Sequence, residues 1–186
     1  MQWFSYQLYS DMARKFLFIG DSLIEFFNWQ QRFQDDQVYN FGSAGETAEG
    51  LLARLPEIIR RTQAPDLVMT MTGTNNIAME DYGFLTTYGK IITLLQKNYA
   101  RTTIVMASLL PVELFFLGDA IPRVNRKLRE IARERNIVYL DLYPLFLGAD
   151  SKPIATYYEA DGVHLSGEGY AVWAKALEKS VFPSIG

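Results

Sequence analysis

Lys15-Phe16-Leu17-Phe18-Ile19-Gly20-Asp21-Ser22-Leu23 decides how this chain is read. An apolar run ends on a glycine, and an acid and a hydroxyl follow at once. Apolar residues at consecutive rather than alternate positions mark a strand covered on both faces. Four further runs read as buried strands: 37–42 (QVYNFG), 66–73 (DLVMTMTG), 102–108 (TTIVMAS) and 137–142 (IVYLDL). Helical spacing fills the gaps. Leu51, Leu52, Leu55, Ile58 and Ile59 share a stripe over 47–61, with Thr47 as candidate N-cap. Similar stripes run over 86–99 (Tyr88, Ile91, Ile92, Leu94, Leu95), 121–135 (Val124, Leu128, Ile131) and 166–180 (Tyr170, Val172, Trp173, Ala176, Leu177). Strands alternating with helices predict an α/β domain with a parallel sheet and right-handed crossovers. The chain shows no repeat, low-complexity tract or linker, so one domain is expected over 1–186, with 1–14 as an N-terminal extension.

Composition narrows the function. A hydrophobic fraction of 49% over 186 residues supports a real core. A net charge of −3 disfavours sequence-independent binding of nucleic acid, which needs a basic face. The basic residues Arg123, Arg126, Lys127, Arg129, Arg133 and Arg135 are interleaved with Glu130 and Glu134, which reads as a solvated helix face. There is no cysteine, so a disulfide scaffold, a thiolate metal site and a cysteine nucleophile are excluded. No apolar run approaches the roughly 20 residues of a membrane span. The segment 1–11, with Trp3, Phe4, Tyr6 and Tyr9, lacks the pattern of a signal peptide, which makes the cytoplasm the default compartment. It reads as a short docked helix, with Met12 as an alternative start.

His164 is the single histidine, so histidine-based general base chemistry has one candidate. Ser22 follows a strand directly, and ligands of parallel sheets bind beyond the carboxyl ends of strands. A serine hydroxyl needs a base within reach to act as a nucleophile. Asp161 lies three residues before His164, and on a turn its carboxylate can fold back to one imidazole nitrogen. Taken singly, each has a plainer reading: Ser22 as an N-cap, His164 as a core or capping residue, Gly45 and Asn75 as turn residues. The DxxH spacing together with the upstream serine tips the balance towards catalysis. Two other strand ends carry Gly42-Ser43-Ala44-Gly45 and Gly73-Thr74-Asn75-Asn76. A glycine there can bring a backbone N–H close to a ligand, and an asparagine amide is an uncharged donor suited to an oxyanion.

These blocks, in this order, resemble the SGNH (GDSL) hydrolase family over about residues 15–177. Gly20-Asp21-Ser22-Leu23 is similar to block I, Gly45 to the block II glycine, Asn75 to the block III asparagine and Asp161-Gly162-Val163-His164 to block V. The resemblance implies Ser22, Asp161 and His164 as catalytic residues, and the amides of Ser22 and Gly45 with the Asn75 side chain as oxyanion hole. Asn40-Phe41-Gly42, Gly73-Thr74-Asn75-Asn76 and Leu109-Leu110-Pro111 look most like the platelet-activating-factor acetylhydrolase branch and its bacterial relatives. The implied fold is a three-layer α/β/α sandwich, flavodoxin-like, with a five-stranded parallel sheet. Asn76 departs from the aspartate that many members carry there, which implies altered support for its neighbour rather than lost activity.

The expectation is therefore a serine esterase acting on short acyl esters, acetyl first, through an acyl-enzyme and without cofactor or metal. The ester can be a small molecule or a lipid. Lysophospholipase and thioesterase activities stay open, as does a catalytically idle binding module on the same fold. Phosphoryl chemistry is a weak rival, because no GxxxxGK[ST] string occurs. Phe26, Phe27, Trp29 and Leu114-Phe115-Phe116-Leu117 fit an acyl pocket or lid, and fit core or a homodimer surface equally well.

Overall fold

The computed structural model describes residues 13–112 and 119–184. The aromatic segment 1–11 and the run 114–117 lie outside them. Five strands form one sheet in the order β2-β1-β3-β4-β5, with every neighbouring pair parallel. They are β1 (Lys15–Gly20), β2 (Gln37–Gly42), β3 (Leu67–Met71), β4 (Thr103–Ala107) and β5 (Val138–Leu140). The helices are α1 (Ser22–Glu25), α2 (Trp29–Arg32), α3 (Ala48–Arg61), α4 (Thr74–Ala78), α5 (Phe84–Asn98), α6 (Ala120–Glu134) and α7 (Gly167–Ser180). The flavodoxin-like three-layer arrangement is thus as expected. Among the described residues, no helix is long and apolar enough to cross a membrane.

Consecutive apolar side chains in β1 reach both faces of the sheet, since neighbours on a strand point oppositely. Phe16, Leu17, Phe18 and Ile19 are all fully buried. On one face Phe18 stacks on Trp29 at 4.5 Å, and Trp29 meets Trp173 of α7 edge-on at 5.3 Å. Phe16 meets Phe33 and Phe182 there. Each such side chain removed from water contributes roughly 1.5–3 kcal/mol. On the other side α3 packs against α5, and α5 against α6.

β3, β4 and β5 are shorter than the sequence runs suggest. The polar ends of those runs leave the ladder to serve loops at the carboxyl edge: Ser108 Oγ, for instance, accepts the N–H groups of Leu142 and Tyr143. The sheet order reverses at β1, whose partners are β2 on one side and β3 on the other. Such a switch point opens a crevice beyond the strand ends. Ser22 follows β1 directly and so sits in that crevice.

Candidate active site

The turn after β1 is built to present Ser22. Gly20 has φ +153°, and a Cβ there would lie 1.9 Å from the Met71 carbonyl oxygen, so only glycine lets β1 end so close to β3. Asp21 then caps α1, its Oδ1 accepting the Leu23 N–H at 3.1 Å. The exposed-end carbonyls of so short a helix need outside donors. Trp29 Nε1 and Asn40 Nδ2 donate to the Ile24 oxygen, and the Tyr170 hydroxyl donates to the Leu23 oxygen. These bonds fix α1, and Ser22 at its start is itself largely buried.

His164 and Asp161 come from the loop before α7. An antiparallel bridge between Tyr158 and Leu165 and the bond from the Glu159 N–H to the His164 oxygen close this loop. Asp161 Oδ1 accepts the Val163 and His164 N–H groups at 2.9 Å each, leaving Oδ2 for His164 Nδ1 at 2.6 Å. His164 Nε2 lies 3.0 Å from Ser22 Oγ. Residues 142 positions apart thus meet in one hydrogen-bonded chain. The bond to His164 and the two backbone N–H groups hold the Asp161 carboxyl down to about 2. It stays ionised at every pH where the protein would work.

Gly45 and Asn75 reach the same cleft. Its volume is about 240 Å³, and Ser22, Phe26, Gly45, Asn75 and His164 are among its lining residues. Gly45 has φ +73° and open space where a side chain would stand. Asn75 lies in the first turn of α4, a short helix where the sequence reading gives a strand end and a turn. Its Nδ2 donates one hydrogen to the Glu46 oxygen at 2.9 Å, and the amide keeps a second. Asn76 is fully buried: it accepts the Ala48 N–H and donates to Glu49 and Asp81, tying α4 to α3.

The aromatic residues after block I separate. Phe26 is 57% exposed and its ring lies 5.1 Å from that of His164, on the cleft rim. Trp29 is fully buried in the core, and Phe27, partly buried, packs against it by stacking on Tyr170 at 4.4 Å. A larger cavity of about 520 Å³ runs along Arg126, Arg129 and Arg133 of α6, but none of the five candidate site residues lines it. That basic helix is laced with ion pairs to Asp119, Glu130 and Asp141.

Three residues carry bonds here that the sequence reading did not single out. Glu25 Oε2 accepts the Ala44 N–H at 2.5 Å, beside Gly45. Arg54 of α3 donates to both carboxylate oxygens of Glu46, at 2.5 and 2.7 Å. No local spacing rule joins positions eight apart across a helix start.

Among the described residues Asp21 is the one buried acid at the site, with Oδ2 lacking a hydrogen-bond partner. Burial pushes its carboxyl up to about 7, against the pull of the Leu23 N–H. An unfolded aspartate titrates near 3.9. Between about pH 4 and pH 7 the folded state keeps a proton that the unfolded state has lost, so stability falls as pH rises. At about 1.4 kcal/mol per unit, that loss is on the order of 4 kcal/mol. Asp21→Asn retains an oxygen for Leu23 and removes the titration. Urea unfolding across this range is expected to show a flatter pH dependence for Asp21→Asn than for the wild type. Parallel curves would show that Asp21 ionises as freely folded as unfolded.

Comparison with known proteins bears on family and fold. The profile of the GDSL-like lipase/acylhydrolase family matches residues 18–172. The rat platelet-activating factor acetylhydrolase IB subunit alpha2 is 27% identical over 175 residues, covering 89% of this chain and 75% of that one. A Streptococcus pneumonia structure provisionally described as a platelet activating factor superposes with a TM-score of 0.80 at 25% identity, covering 96% of this chain and 89% of the other. An acetylxylan esterase from Geobacillus stearothermophilus shares the fold, with a TM-score of 0.74 at 21% identity over 93% of this chain and 94% of its own. Profile, relatives and fold converge on one assignment: the chain belongs to the GDSL-like lipase/acylhydrolase family.

Proposed function

We propose that this protein is a serine esterase that cleaves short acyl esters through an acyl-enzyme. The observation that carries the reading is the hydrogen-bonded chain Ser22–His164–Asp161. Asp161 accepts a proton bond from Nδ1, which fixes the imidazole tautomer and leaves Nε2 as acceptor towards Ser22. Ser22 Oγ attacks the ester carbonyl carbon while its proton passes to Nε2. The carbonyl oxygen becomes an oxyanion, and the Ser22 and Gly45 N–H groups and the free hydrogen of Asn75 Nδ2 stabilise it. Collapse of this intermediate breaks the bond to the alcohol, which leaves with the proton from Nε2. Water then attacks the acyl-enzyme, gives a proton to the same nitrogen, and releases the acid and Ser22.

The size of the cleft supports a small acyl group. At about 240 Å³ it falls below the roughly 300–1,000 Å³ of sites that enclose drug-sized ligands. Similarity to a platelet-activating factor acetylhydrolase supports acetyl in particular. Hydrolysis of p-nitrophenyl esters from acetate to palmitate, with EDTA present, tests the reading. The expected kcat/KM is highest for the shortest esters and falls as the chain outgrows the cleft. A maximum at long chains would overturn the acyl preference, and inactivity on the whole series would overturn the esterase.

A further inference from the structure

Arg54 sits on α3, in neither the proposed triad nor the proposed oxyanion hole, yet its guanidinium touches three segments that carry them. Nε and Nη2 grip the two oxygens of the Glu46 carboxylate. Nη2 also donates to the Phe41 oxygen at 2.7 Å, where β2 ends, and reaches the Gly20 oxygen at 3.4 Å, beneath the turn that presents Ser22. A planar guanidinium with five donors suits such a junction, and an ammonium does not. Glu46 is the relay. It follows Gly45 directly, and its backbone oxygen accepts the Asn75 amide. Its side chain is almost enclosed and lies across Gly50, where a Cβ would stand 2.9 Å from Glu46 Cγ. Helix α3 thus carries a glycine, a weak helix former, in the place where Glu46 crosses it.

We infer that Arg54 and Glu46 are positioning residues of the oxyanion hole: Arg54 fixes Glu46, and the Glu46 carbonyl aims the Asn75 amide at the developing charge. The inference rests on the esterase reading above. An amide displaced by a fraction of an ångström still lets substrate bind but serves the oxyanion poorly, so the loss falls on kcat. Arg54→Met is expected to lower kcat about 10–100-fold with KM within about twofold, against the roughly 10²–10³-fold expected for Asn75→Ala.

The discriminating experiment is a double-mutant cycle on p-nitrophenyl acetate, with circular dichroism as the check on folding. If Arg54 acts through Asn75, Arg54→Met in the Asn75→Ala background lowers kcat by less than about threefold, because its target is already gone. A merely structural arginine would cost the same factor in both backgrounds, and that result would overturn the inference. Should Arg54→Met fail to fold, Glu46→Gln keeps the shape and weakens the grip. It is expected to show the same shift in kcat and the same loss of effect beside Asn75→Ala, and wild-type kcat in it would overturn the inference. An inactive wild type, or an Asn75→Ala variant at full rate, would count against the esterase reading itself.

Discussion

Ser22→Ala is expected to keep the fold and to lose ester hydrolysis by about 10⁴-fold or more. The fold survives because Ser22 opens α1, where alanine is a good helix former, and because Trp29, Asn40 and Tyr170 bond carbonyls of α1 rather than Ser22 Oγ. What disappears is the single bond from Oγ to His164 Nε2. The proposed oxyanion donors stay in place, but no atom remains to form the acyl-enzyme. Steady-state hydrolysis of p-nitrophenyl acetate, read beside a far-ultraviolet spectrum and a melting curve, measures both halves of the expectation. Activity within tenfold of wild type in a folded variant would place the nucleophile elsewhere.

Asp161→Asn is expected to have the second large effect, a fall in kcat of about 10³–10⁴-fold. The turn itself is retained, since an asparagine oxygen can still accept the Val163 and His164 N–H groups. The other amide atom facing Nδ1 becomes a donor. It selects the imidazole tautomer with the proton on Nε2, and that nitrogen can no longer take the Ser22 proton. The charge that stabilises the imidazolium is lost as well. Because the Asp161 carboxyl is held down to about 2, its protonation contributes nothing to pH dependence above about pH 4 in the wild type. Its contribution to stability is present above the unfolded aspartate value and is lost only as pH falls towards 2. A variant that keeps wild-type kcat would show that Asp161 merely closes a turn.

Most of the sheet could be read from the chain because β1 carries an unbroken apolar run from Phe16 to Ile19 and β2 keeps the same limits on a partly covered edge. The small elements at the carboxyl edge could not. Thr74–Ala78 contains threonine and two asparagines, weak helix formers, and the buried bonds of Asn76 to α3 and Asp81 hold it rather than local preference. For Trp29 and Phe27 the sequence leaves cleft and core open, and a short helix capped by Asn28 turns Trp29 inward onto Phe18. The proposed triad was legible for a reason of scarcity: one histidine leaves one candidate base, and a nearby acid follows from turn spacing. Arg54 had no such signature. Its role depends on where β1, β2 and the loop around Gly45 converge, and only the folded chain brings them together.

One measurement bears most directly on whether Ser22 is an activated hydroxyl. The folded protein is treated with a fluorophosphonate, and the modified residue is located by mass spectrometry of its peptides. Stoichiometric label on Ser22, absent after His164→Ala, is the predicted result. No label on a well-folded protein, or label on another side chain while Ser22 stays free, would contradict the proposal that the contact seen at 3.0 Å makes a nucleophile.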